Sequence, residues 1–276
     1  MNDPAQDPAR RKPGALATLR SLAIFAIAAW ALRSLVVAPF SIPTGSMLPT
    51  LYIGDYLFVH KWPYGYSRFS FPLGIPSFEG RIFGNTPDRG DIVVFRPRGQ
   101  EDTDFIKRVI GLPGDSVAVS GGTVILNGRP LQRQSAGMVA IRVSPNSPCR
   151  VVEGATPMIR ADVAGASECV LPAYRETLPG GPSFVILDQV DTPRADDVAA
   201  ISIPAGHLFV MGDNRDDSLD SRYSRFEGGV GLVPLDHVVG RASARFWSTD
   251  GSAEWLKPWT WFSALRADRI GGFTSP

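Results

Sequence analysis

The chemistry-bearing residues are a serine and a lysine 61 positions apart. Ser46 sits in Ile42-Pro43-Thr44-Gly45-Ser46-Met47-Leu48-Pro49-Thr50-Leu51, a tight Pro/Gly setting just after an apolar N-terminal stretch. Lys107 is the one lysine in Asp104-Phe105-Ile106-Lys107-Arg108-Val109-Ile110-Gly111-Leu112-Pro113-Gly114-Asp115, which begins as a β-type apolar run. A serine hydroxyl is a weak nucleophile until a base takes its proton. Histidine is the usual base, but His60, His207 and His237 stand in strand or turn contexts that do not resemble a triad. A lysine in water is protonated, with a reference pKa of about 10.4. Burial disfavours the ammonium and lowers that value, and Phe105, Ile106, Val109 and Ile110 would supply the apolar surroundings. A strand lysine taken alone is usually a surface residue. Paired with Ser46, Lys107 reads as a general base.

A third segment adds polar density. Gly212-Asp213-Asn214-Arg215-Asp216-Asp217-Ser218-Leu219-Asp220-Ser221-Arg222 follows a strand-like His207–Met211. It is a solvated turn, a calcium loop or a network that positions the lysine. The D-x-D-x-D-G spacing of an EF-hand is absent, which weakens the calcium reading. Cys149 and Cys169 have no histidine between them, so they form no zinc site of familiar spacing. They are either two small buried side chains or, in an oxidising compartment, a disulfide.

These groups need elements to hold them. Leu19 to Val37 supplies the roughly 20 apolar residues a membrane helix requires. Arg20 and Arg33 lie near its two ends, where they can snorkel to an interface. Arg10-Arg11-Lys12 precedes the segment and predicts a cytoplasmic N-terminus. Ala29-Trp30-Ala31 resembles a signal-peptide cleavage site, but the segment stays apolar beyond it. We expect a tail over 1–18, an anchor over 19–38, a catalytic β domain over 39–128 plus 201–276, and an inserted subdomain over 129–200.

The body reads as mostly β. Strands are expected at 55–62, 91–95, 105–110, 116–119, 123–126, 207–211 and 238–247, with hairpin signals at Gly121-Gly122 and Asn127-Gly128. The 28 glycines and 24 prolines favour short strands and turns. The 129–200 insertion is rich in Pro, Gly, Ala and Ser and looks more irregular. Residues 66–90 read as a long loop, with Phe69, Phe71, Phe78 and Phe83 exposed or packed on a partner surface. Trp247, Trp255, Trp259, Trp261 and Phe262 form a late aromatic group suited to a membrane interface or to a core. A net charge of +1 gives no electrostatic case for nucleic acid.

Four segments in one order carry a family resemblance: Ser46-Met47-x-Pro49-Thr50-Leu51; Arg89-Gly90-Asp91-Ile92-Val93; Ile106-Lys107-Arg108 with Gly111-Leu112-Pro113-Gly114-Asp115; and Gly212-Asp213-Asn214 through Ser218, Asp220, Ser221 and Arg222. The chain resembles a bacterial type I signal peptidase over about 33–128 and 203–247. The insertion is similar to the variable second subdomain of the larger Gram-negative members. The resemblance implies Ser46 as nucleophile and Lys107 as base, with Ser218 orienting the lysine. Asp213, Arg108, Asp220 and Arg222 would brace the loop. The Ser46 amide and the Thr44 hydroxyl would form an oxyanion hole; many members carry serine at that second position. Phe40, Ile42, Leu51, Val94, Phe105 and Ile106 would line shallow pockets for small residues at the −1 and −3 positions of a preprotein bound as an added strand. The implied work is removal of signal peptides from preproteins at the periplasmic face of the inner membrane, downstream of the secretion translocon. The partners would be those peptides and the phospholipid bilayer, with no metal, cofactor or nucleic acid. The best-known Gram-negative pattern has two N-terminal spans where this chain has one. A periplasmic domain would favour a Cys149–Cys169 disulfide.

Overall fold

The structure is a computed structural model that describes residues 14–150, 152–156, 158–161, 165–254 and 256–272. The basic cluster Arg10-Arg11-Lys12 and Trp255 lie outside the described residues. Helix α1 (Ala15–Ala31) runs into a wider π-type turn at Leu32–Val36. Together they make a 22-residue apolar span; no residue of α1 is buried, whereas Ser34 in the turn that follows it is. The apolar helical span covers Ala15–Val36, where 19–38 is the range expected for the anchor. Val37 and Ala38 instead open strand β1 (Val37–Ser41), whose pairing with β2 (Asp55–His60) takes the backbone out of the helix.

The remaining strands are β3 (Ile92–Phe95), β4 (Phe105–Gly111), β5 (Ser116–Ser120), β6 (Thr123–Leu126), β7 (Arg129–Pro130), β8 (Gln132–Arg142), β9 (Met158–Ala161), β10 (Ser167–Thr177), β11 (Ser183–Leu187), β12 (Val198–Ser202), β13 (His207–Met211), β14 (Val233–Pro234), β15 (Val238–Ser248) and β16 (Gly271–Gly272). The main sheet runs β1-β2-β15-β3-β4-β13-β14, with β16 on β15, and all its pairs are antiparallel. A second sheet runs β12-β5-β6-β7. Its turns match the sequence signals: Gly121, Gly122, Asn127 and Gly128 all take positive φ, which glycine and asparagine tolerate best.

The insertion is more regular than its composition indicates. The 11-residue strands β8 and β10 pair along their lengths, flanked by β9 and β11. Its limits are also tighter than 129–200, because β7 pairs with β6 and β12 with β5. Cys149 and Cys169 are bonded.

One core lies under the nucleophile segment, built from Ile42, Met47, Leu51, Leu57, Val59, Phe69, Ile92, Val94 and Ile106. Phe69 and Phe71 are buried, unlike the exposed Phe83. Phe69 packs on His237 and Phe71 stacks on Trp30 of α1. These contacts fold the 66–90 excursion back onto the sheet and the helix.

Candidate active site

Ser46 and Lys107 meet. Lys107 Nζ donates to Ser46 Oγ at 2.8 Å and to the Ile106 carbonyl at 3.0 Å. Lys107 lies on β4 in the middle of the sheet and is 4 % exposed. Burial is the largest influence on its pKa, which falls to about 8; Asp220, Asp213 and Asp217 pull it back upward. A lysine so placed has a sizeable neutral fraction near neutral pH.

The nucleophile segment is stitched to the 212–222 loop. The Asn214 amide donates to the Ser46 carbonyl at 3.1 Å, and Asn214 Nδ2 donates to the Gly45 carbonyl at 3.2 Å. Thr50 Oγ1 donates to Asp213 Oδ2 at 2.5 Å. Asp213 also receives Arg108 through Nε at 2.8 Å and Nη2 at 2.6 Å. Asp220 accepts from Arg222 at 2.9 and 3.0 Å and from the Gly212 amide at 2.9 Å. Those contacts, Arg222 foremost, outweigh burial and hold the Asp220 carboxyl below its usual range. The four bracing residues therefore form two buried ion pairs.

Ser218 sits in the same cleft as Lys107 but makes no hydrogen bond to it. Its Oγ is buried and has no hydrogen-bond partner of ordinary geometry. It packs over Gly212, where an added Cβ would stand 2.3 Å from Ser218 Oγ and 2.5 Å from the Ser46 carbonyl oxygen. Gly212 is thus required by close approach, a need the motif contains but spacing alone does not reveal.

Thr44 is exposed on the cleft wall beside Pro43, Phe105 and Ile106. Ile42 lies in the core beneath the nucleophile segment. Leu51 and Val94 are fully or almost fully buried in that core, so they form a floor rather than a surface. Phe40 lines a separate cleft nearer the helix. The three histidines are engaged elsewhere: His60 stacks on Trp62, His207 bonds the Ala205 carbonyl, and His237 bonds the Arg96 carbonyl.

Two residues escaped the sequence reading. Arg150 lines the cleft and approaches Asp217 to 3.4 Å. It follows Cys149, so the disulfide holds it where no local pattern could place it. Asp216 also lines the cleft, and its carboxylate lies beside those of Asp188 and Asp196, with ligand oxygens within 4.8 Å of one another. Burial, with some help from those acids, raises its carboxyl to about 6.

The family described as signal peptidase, peptidase S26, matches residues 15–247. The chain belongs to that family. Signal peptidase I of Rickettsia typhi is 32 % identical over 260 residues, covering 87 % of this chain and 86 % of the relative. Signal peptidase I of Rickettsia canadensis is 31 % identical over 272 residues, covering 91 % and 90 %. A crystal structure of a signal peptidase I from Enterococcus faecalis is 25 % identical, with a TM-score of 0.27, covering 57 % of this chain and 97 % of that one. Membership in the S26 signal peptidases makes the chain a serine peptidase, a peptide-bond hydrolase of the kind that removes signal peptides. The N-terminal apolar helix fits a single-pass anchor for such an enzyme.

Proposed function

We propose that Ser46 is the nucleophile and Lys107, as the neutral amine, its general base, in a domain anchored at the outer face of the inner membrane. The carrying observation is the 2.8 Å approach of Lys107 Nζ to Ser46 Oγ inside a buried, apolar setting. Neutral Nζ accepts the Ser46 proton as Oγ attacks the carbonyl carbon of the scissile bond. The oxyanion is met by the Ser46 amide and the Thr44 hydroxyl, and losing one such donor costs about 10²–10³ in rate. The lysine ammonium then returns the proton to the leaving amine, and water releases the acyl group by the same steps in reverse. Asp213, Arg108, Asp220 and Arg222 brace the loop that holds the nucleophile segment, and Ser218 packs beside the dyad over Gly212.

The preprotein would add as a strand near β1, which ends the main sheet and leads directly into the nucleophile segment. Ile106 and Phe105 on the wall, above a floor of Ile42, Leu51 and Val94, leave little depth, which favours small side chains next to the cut bond. The aromatic Trp259, Trp261 and Phe262 are all exposed, as a bilayer-facing rim would be.

The test is cleavage of a secretory preprotein in detergent by the wild type, Ser46→Ala and Lys107→Ala, with circular dichroism on each. The wild type should cut after a small-x-small site, and both folded variants should be inactive. Near-normal cleavage by Lys107→Ala would sink the assignment of the base.

A further inference from the structure

Lys61 is a second buried lysine, 4 % exposed, and the dyad makes no use of it. Its backbone amide donates to the Val36 carbonyl at 3.1 Å, so it stands level with the end of the apolar span. Its Nζ donates to the Ser70 carbonyl at 3.0 Å. An ammonium carries three donors, so two remain for another ligand. Lys61 lines a cleft with Arg33, Arg96, Phe40, Phe71 and Asp104. The acid in that cleft is already engaged, since Asp104 Oδ1 accepts from Arg96 Nε at 2.8 Å. Arg33 has no acidic partner among the described residues. Three cations thus face one carboxylate. Burial foremost, opposed by Asp104 and aided by Arg33, Arg96 and Arg81, lowers the Lys61 pKa to about 8.

We propose that this cleft binds the phosphate of an anionic phospholipid headgroup, with Lys61 and Arg33 donating to its oxygens. The level of the cleft selects a lipid over a free phosphate. Arg33 is three residues from the end of the 22-residue span, about 4.5 Å along a helix axis. A span of that length places its last turn in the headgroup layer. The Trp30–Phe71 stack and the half-exposed Trp62 border the same level, as aromatic side chains do at an interface. The cleft shares Asp104 with the dyad cleft, so a bound headgroup would sit next to the approach to Ser46.

The proposal rests on α1 being a membrane span, and the experiment separates the two. The full chain is placed in nanodiscs of phosphatidylcholine alone or mixed with phosphatidylglycerol, and retained lipid is counted by native mass spectrometry. The wild type should retain phosphatidylglycerol about tenfold beyond its share, as one or two charge-assisted hydrogen bonds allow. Lys61→Met and Arg33→Gln should each erase that preference, while Arg20→Gln, toward the other end of the helix, should keep it. Arg33 is exposed, so its variant tests the site without touching a core. Insertion with lipid retained only in proportion overturns the headgroup site and leaves the anchor standing. Failure to insert overturns both. Displacement of phosphatidylglycerol by inorganic phosphate would overturn the lipid in favour of a free anion.

Discussion

Arg108 and Asp213 form a two-pronged ion pair at 2.8 and 2.6 Å, one residue along β4 from Lys107. Both side chains are almost fully buried. Breaking such a pair leaves an uncompensated charge and costs about 3–5 kcal/mol. Arg108→Met should therefore lower the denaturation midpoint strongly and release the nucleophile segment that Asp213 holds through Thr50. An unchanged midpoint in thermal denaturation would contradict this.

The pH dependence follows from Lys107. Only the neutral amine is a base, and its pKa is about 8. On kcat/KM, the rate should rise about tenfold per pH unit up to that value and then level. A rate that falls between pH 7 and 8 would exclude the lysine as base. Stability also rises with pH, over a higher range. Below pH 8 the lysine is charged in both folded and unfolded chains, so the folded state bears the full cost of burying it. That cost fades as pH climbs from about 8 past 10.5. Lys107→Met should be inactive yet up to about 3 kcal/mol more stable at pH 7, with the gain gone above pH 10.5, in urea titrations.

Arg150 and Asp217 should tune the same ionisation. Asp217 favours the charged lysine, and Arg150 shields it at 3.4 Å. Asp217→Asn should move the acid limb to lower pH, and Arg150→Gln should move it higher, each by up to about 0.7 pH unit for a partly exposed pair. Parallel shifts in one direction would refute the coupling.

Gly212→Ala tests close approach. The new methyl would overlap Ser218 Oγ and the Ser46 carbonyl, neither of which is the end of a long flexible chain. We expect kcat to fall about 10²-fold, the usual cost of about 1 Å of misplacement, with KM less affected. Wild-type kcat would show that the segment yields without moving Ser46.

Much of this was legible in the sequence. Ser46 and Lys107 were recognisable because a nucleophile in a Pro/Gly turn and a lone lysine in a β run have few other joint uses. The Asn127-Gly128 turn was legible because its backbone needs positive φ. Other features depend on pieces far apart in the chain. The end of α1 is set by β1 pairing with β2, which apolarity does not encode. Nothing in the sequence around Lys61 marks it as buried; Phe69, Ser70, Phe71 and Pro72 pack around it. Phe69 is hidden by residues distant in sequence, His237 and the core beneath the nucleophile segment among them. The Ser218 hydroxyl lies in the right cleft, but sequence could not show that it makes no hydrogen bond to the lysine.

The junction after α1 leaves no slack. The Val36 carbonyl is bonded to Lys61, the Leu35 carbonyl accepts from Tyr66 at 2.9 Å, and β1 is zipped to β2 from Val37 to Ser41. With α1 in a bilayer, the hydroxyl of Ser46 is held at one altitude above the lipid. Ten residues separate it from Val36, so that altitude is at most about 35 Å. A blade on a flexible tether would sample many heights; on the proposed reading this one would work as a depth gauge. A peptide bond would be cut when its own distance from the membrane matched the fixed height of the serine, so the length of a preprotein's apolar segment would become part of what is recognised.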